Sequence, residues 1–194
     1  AKAPVREFVD ALGGSRVVLV GCSMGSAVAA TVAAAAPPNV KALVLSNSSF
    51  GHPPERFAAL SKRSTEAERG MGAMLDNTIK RWFSVDALVN HADLVATVRG
   101  WLLAGDPIVH SRGWLALRDF DYEPLFPALT LPALVIGGEH DEAARPPAVA
   151  ALAAALPDAE HRQIAGAGHL SPFDQPRLYA AAVRDFLQRK VSAG

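Results

Sequence analysis

Val5, Phe8, Val9 and Leu12 fall at i, i+3, i+4 and i+7, the spacing of one helical face, and Gly13-Gly14 ends that stripe. Val17-Val18-Leu19-Val20 follows, apolar at every position, which predicts a parallel strand covered on both faces. Gly21 to Gly25 predicts a tight turn. The Ala-rich run from Ser26 to Ala36 then predicts a buried helix, closed by Pro37-Pro38. Ala42-Leu43-Val44-Leu45 has the composition of a second buried strand. Helix, strand, helix, strand at this spacing predicts an α/β class with a doubly wound, mostly parallel sheet.

The pattern changes between about Phe50 and Leu129. No comparable β-branched run occurs there, whereas all three Trp (Trp82, Trp101, Trp114) and stripes such as Leu88, Val95 and Val98 do. Pro53-Pro54 opens the region and Pro124, Pro127 and Pro132 close it. A helical insertion between two strands is the expected arrangement. The α/β pattern then resumes with a strand at Ala133-Leu134-Val135-Ile136 running into Gly137-Gly138. A helix begins at Pro146-Pro147, with Val149, Leu152 and Leu156 on one face, and a short strand spans Glu160 to Ile164. Asp174 is the expected cap of a last helix carrying Val183, Phe186 and Leu187. The expected organisation is a first core segment over 1–49, a helical cap over 50–129 and a second core segment over 130–194.

Composition narrows the classes. Half of the 194 residues are hydrophobic, and 19 basic residues balance 19 acidic ones with no basic stripe. Nucleic acid and anionic membrane surfaces are therefore poor partners. The longest nearly apolar stretch, Ala27 to Ala36, is too short to span a bilayer. One cysteine, Cys22, excludes an intrachain disulfide, and the start lacks an apolar signal segment, so a cytoplasmic location is expected.

The chemistry centres on Gly21-Cys22-Ser23-Met24-Gly25. A serine hydroxyl is a weak nucleophile that needs a base in reach, and that base needs an orienting acid. In a Gly-x-Ser-x-Gly turn between strand and helix the serine projects from the sheet, and glycines on both sides remove side chains that would clash. The base and acid are expected on loops after later strands, in the order Ser, Asp or Glu, His. Asp141 follows the strand ending at Gly138, and His169 follows the strand ending at Ile164. A helix-initiating carboxylate is the alternative role for Asp141, and a plain loop histidine the alternative for His169. Glu139 could replace Asp141, and His140 reads as a surface group. Cys22 reads as a small buried filler rather than a second nucleophile. His52, His91, His110 and His161 show no metal-ligand spacing, so no metal is assigned, and no nucleotide-binding glycine loop is present.

These segments resemble the α/β-hydrolase superfamily and, within it, the 3-oxoadipate enol-lactonases. The elbow with Ser26-Ala27-Val28-Ala29, the strand Leu43-Val44-Leu45-Ser46-Asn47, and the loops Pro132 to Asp141 and Gly168-His169-Leu170-Ser171 carry the first likeness. Arg81-Trp82-Phe83 and Ala116-Leu117-Arg118-Asp119 with Asp121 are similar to two cap segments of the lactonases. The resemblance implies a cap-bearing serine hydrolase acting on a small ester or lactone through an acyl-enzyme, with no cofactor. Ser23, Asp141 and His169 would form the triad, and the Met24 N–H would be one oxyanion-hole donor. Arg81, Trp82, Trp114 and Arg118 would meet the substrate, the arginines pairing with a free carboxylate unless they are merely solvated or structural. Carbon–carbon bond hydrolases and cofactor-free haloperoxidases share the same triad. The resemblance also implies further strands ahead of Val17 and a second oxyanion donor on one of them. The expectation is therefore a partial α/β-hydrolase fold, completed by a preceding segment or a second chain. A non-catalytic binding or assembly module is the alternative from a different class.

Overall fold

The computed structural model describes residues 2–50 and 54–191. Helix α1 (Lys2–Ala11) leads into β1 (Val17–Cys22), α2 (Met24–Ala34) and β2 (Val40–Ser46). Five helices follow: α3 (Pro54–Glu68), α4 (Met71–Trp82), α5 (Val85–Asn90), α6 (Ala92–Leu103) and α7 (Pro107–Asp119), then a 3-10 helix (Glu123–Ala128). The chain returns through β3 (Ala133–Gly138), α8 (Pro146–Ala155), β4 (Ala159–Ile164), the short α9 (Ser171–Asp174) and α10 (Pro176–Lys190).

The four strands are parallel in the order β1-β2-β3-β4. The uniform apolar runs of β2 and β3 are explained by layers on both faces. Leu43, Leu45 and Val135 point into one core with α2 and α8, while Ala42, Val44, Leu134 and Ile136 meet Phe186 of α10 in the other. β1 departs from the expectation of full cover. It extends two residues further, to Cys22, and Val20 is 57% exposed. β1 is an edge strand, and Val20 lines an open groove beside Tyr179, Val183 and Leu187 of α10.

Local signals set the helix starts between β2 and β3. Ser84 accepts from the Ala87 N–H at the start of α5, and Asp106 accepts from Ile108 and Val109 at the start of α7, with Pro107 at the first helical position. This region has its own core, in which Met71, Met74, Leu75, Ile79, Phe83 and Val98 pack together. Trp82 and Trp114 flank that core and Leu170 joins it from the histidine loop. No described helix is long and apolar enough to cross a membrane. His52 and Pro53 lie outside the described residues.

Candidate active site

Parallel strands present the loops after their C-terminal ends along one edge of the sheet, where ligands bind in open α/β folds. β1, β3 and β4 each deliver one of the three expected side chains to that edge. Ser23 sits between β1 and α2 with φ 54°, a left-handed conformation that non-glycine residues rarely adopt. Its hydroxyl makes no capping bond to α2. Instead Ser23 Oγ lies 3.0 Å from His169 Nε2, and His169 Nδ1 lies 2.9 and 3.1 Å from the two Asp141 oxygens. A carboxylate only accepts, so Nδ1 carries the proton and the Nε2 lone pair faces the serine. Asp141 and His169 are both buried, at 2% and 4% exposure.

The supporting contacts explain how a charge survives there. Asp141 Oδ1 accepts from the Ala143 and Ala144 N–H groups at 2.7 and 2.8 Å, and Oδ2 from Asn47 Nδ2 at 3.1 Å. A buried carboxylate needs such donors to offset its lost hydration. Asn47, just past β2 at φ 50°, also donates to the Gly168 carbonyl and accepts from Ser171 Oγ. It thus ties the acid loop to the histidine loop. Sequence reasoning assigned it no role, although two polar residues, Ser46-Asn47, ending an apolar strand are a usable signal.

Asp174 was expected to cap the last helix and does not. Gln175 holds that position without a side-chain bond, because Asp174 is turned inward. Its Oδ2 accepts from the Gly168 N–H at 2.6 Å and the Ser84 N–H at 3.1 Å. Leu170 N–H donates to the Trp82 carbonyl alongside. The histidine loop is therefore fastened to the start of α5, and burial holds the Asp174 carboxyl above its ordinary pKa.

The two elbow glycines are not equivalent. A Cβ on Gly21 would lie 2.3 Å from the Gly25 carbonyl oxygen and 2.6 Å from the Ser26 nitrogen, whereas a Cβ on Gly25 meets nothing within 4 Å. The clash expected on both sides exists only at Gly21, where β1 passes against the backbone of α2. Ser26 Oγ donates to the Gly21 carbonyl at 2.9 Å and closes the turn. Cys22 is half-buried rather than fully buried, and desolvation reinforced by the Asp141 charge pushes its thiol up to about 12. A thiol held neutral is a poor nucleophile.

Among the other expected site residues, Arg81, Trp82 and Trp114 line a cavity of about 480 Å³ that reaches Ser23 and His169. Arg118 does not. It pairs with Asp119 at 2.6 and 2.8 Å and lies 4.7 Å over the Phe57 ring, away from the site. Its guanidinium is held by its sequence neighbour Asp119 and by Ser61 Oγ. Arg56, Arg63 and Arg145 line the cavity as well; in sequence Arg56 and Arg63, about two turns apart on α3, look like a solvated helix face. Met24 opens α2, where the first N–H groups lack helical partners. His140 is exposed, and Glu139 accepts from the Gly166 N–H rather than from His169. No group of three potential metal ligands occurs among the described residues.

Comparison with known proteins follows the same lines. The chain superposes with a TM-score of 0.85 on the enol-lactonase from Burkholderia xenovorans, at 28% identity, covering 96% of this chain and 71% of that one. It superposes equally, at 27% identity, on a thermophilic esterase from Thermogutta terrifontis in its malate-bound form, covering 95% and 70%. A curated relative, the polyketide synthase ThaQ from Burkholderia thailandensis, is 29% identical over 199 residues, and the chain spans all of itself but only 10% of that protein's length. The signature of the alpha/beta hydrolase family matches residues 1–182, a span that takes in the four strands, the elbow and both loops that meet it. On that match the chain belongs to the alpha/beta hydrolase family.

Proposed function

We propose that the protein is a serine hydrolase that cleaves an ester or lactone through an acyl-enzyme, with Ser23 as nucleophile, His169 as base and Asp141 as the orienting acid. The observation that carries this is the unbroken chain of contacts from Ser23 Oγ through His169 to Asp141. Attack by Ser23 Oγ on the carbonyl transfers its proton to Nε2, and Asp141 stabilises the imidazolium that forms. The tetrahedral oxyanion is held by the Met24 N–H at the positive end of α2. Collapse expels the alcohol, which takes the proton from His169. Water then repeats the cycle on the acyl-enzyme and restores Ser23. A carboxylated lactone of the 3-oxoadipate enol-lactone type fits the resemblance to lactonases. A thioester is the second reading, favoured by the match of the whole chain to a segment of a polyketide synthase, since the same attack expels a thiol. A cytoplasmic location accords with the single cysteine.

The test is labelling by a fluorophosphonate probe. The protein should be labelled and Ser23→Ala should not. Equal labelling of both proteins would refute the assignment.

A further inference from the structure

Two cavities meet at Ser23, and they differ in chemistry. The first, of about 480 Å³, is lined by Arg56, Arg63, Arg81 and Arg145, with Glu55 and Glu142 as the acidic members among the described residues. The second, of about 500 Å³, is walled by Met24, Val109, Leu117 and Leu170. Ser23, His169, Trp82, Trp114 and Leu117 belong to both. A substrate with its carbonyl at Ser23 therefore reaches a cationic lobe on one side and an apolar lobe on the other.

Arg63 and Arg81 are the informative members of the first lobe. Both are half-buried, and neither forms an ion pair or hydrogen bond with a carboxylate among the described residues. The pairs formed by arginine elsewhere show how readily a carboxylate is recruited, as Arg189 is by Glu160 and Arg99 by Asp76. Arg63 lies 5.4 Å from the Trp114 ring centre, so its side chain is held against the wall shared by the two lobes. Burial, with Arg81 and Arg56 nearby, lowers its pKa to about 10, which leaves it charged at neutral pH. Arg81 is likewise lowered by burial, although Asp141 and Glu142 act against the shift. Half-desolvated guanidinium groups that crowd one another are stabilised by an anion placed between them, and their planar forks suit an oxyanion with two free oxygens.

We infer that the cavity edged by Arg63 and Arg81 is a subsite for an anionic group of the substrate, a carboxylate or a phosphate, with the uncharged part of the molecule in the apolar lobe. This rests on Ser23 being the reacting centre proposed above. A carboxylate would be carried on the acyl part, and a phosphate on a phosphopantetheine leaving group. The shared chemistry is an oxyanion with two or more free oxygens, carried near the scissile carbonyl on the acyl part or at the far end of the leaving group.

Calorimetric titration separates these sources and does not depend on turnover. Ser23→Ala protein is titrated with monomethyl glutarate against dimethyl glutarate, and with S-butyryl-phosphopantetheine against S-butyryl-pantetheine. The anionic member of at least one pair should bind roughly tenfold to a hundredfold more tightly, the loss expected for a charge-assisted bond. R63Q and R81Q, made in the Ser23→Ala background, should each remove that preference and leave the neutral member unchanged. If R63Q does not fold, R81Q decides alone. Equal binding within both pairs, no binding by any of the four, or a preference that survives the arginine substitutions would overturn the subsite. Hydrolysis by the Ser23 protein is recorded separately. Preference without turnover sinks the hydrolase reading and spares the subsite, and turnover without preference does the reverse.

Discussion

Replacing Gly21 by Ala probes the elbow where it is tightest. The added methyl would sit 2.3 Å from the Gly25 oxygen, 2.4 Å from the Gly25 carbonyl carbon and 2.6 Å from the Ser26 nitrogen. All three atoms are backbone, so no side chain can swing aside. Relief requires moving β1 away from the first turn of α2, which also carries Ser23 and the bond from Ser26 Oγ to the Gly21 carbonyl. Overpacking of this kind costs about 1–3 kcal/mol, and a backbone clash belongs at the upper end. Movement of the turn by even 1 Å would also open the 3.0 Å contact between Ser23 and His169, a misplacement that lowers rates by roughly a hundredfold. Gly25→Ala is the matched control. Its new methyl meets nothing within 4 Å, and inside a helix Ala is favoured over Gly by up to about 1 kcal/mol. Urea denaturation and the rate of fluorophosphonate labelling read both effects. A Gly21→Ala protein as stable and as rapidly labelled as Gly25→Ala would refute the steric reasoning.

Other substitutions follow from the same contacts. Asp141→Asn keeps the volume but loses the acceptor that selects the His169 tautomer, so kcat should fall by roughly 10⁴ while KM changes little. Asn47→Ala removes one donor to Asp141 and the tie to Gly168 and Ser171, and should destabilise the fold by about 1–3 kcal/mol on urea denaturation. Asp174→Ala leaves the Gly168 and Ser84 N–H groups unpaired and should cost roughly 2–4 kcal/mol, whereas Asp174→Asn, which keeps an acceptor oxygen, should retain most of the stability. Because the folded state holds the Asp174 carboxyl above its ordinary pKa, its contribution to stability is largest in acid and is lost as pH rises through the folded value. Asp174→Asn should flatten that part of the stability profile. Cys22, with its thiol near 12, should react with a disulfide reagent at about pH 8 on the order of a thousandfold more slowly than a free thiol.

Much of the scaffold was legible in the order of residues because its signals are local. Apolar runs of strand length, the Gly-Ser-Gly turn between a strand and an Ala-rich helix, and the proline boundaries each act over a few residues. Parallel strands then bring their C-terminal loops to one edge, so the places of Ser23, Asp141 and His169 after β1, β3 and β4 could be expected before any coordinate was known. Other features depend on distances between residues far apart in sequence, which no local pattern encodes. Asn47 touches Asp141 and Gly168 across 94 and 121 positions, and Asp174 turns from its expected capping role to the Ser84 N–H across 90. Val20 lies bare because β1 is an edge strand and the groove between it and α10 stays open, and Gly21 rather than Gly25 is sterically required because of how α2 leaves the strand. Arg118 and Arg63 look alike as helical arginines. Packing of α3 against α7 sends one to Asp119 at the surface and the other over Trp114 beside Ser23, and only through-space charge and solvent access decide which of them meets a ligand.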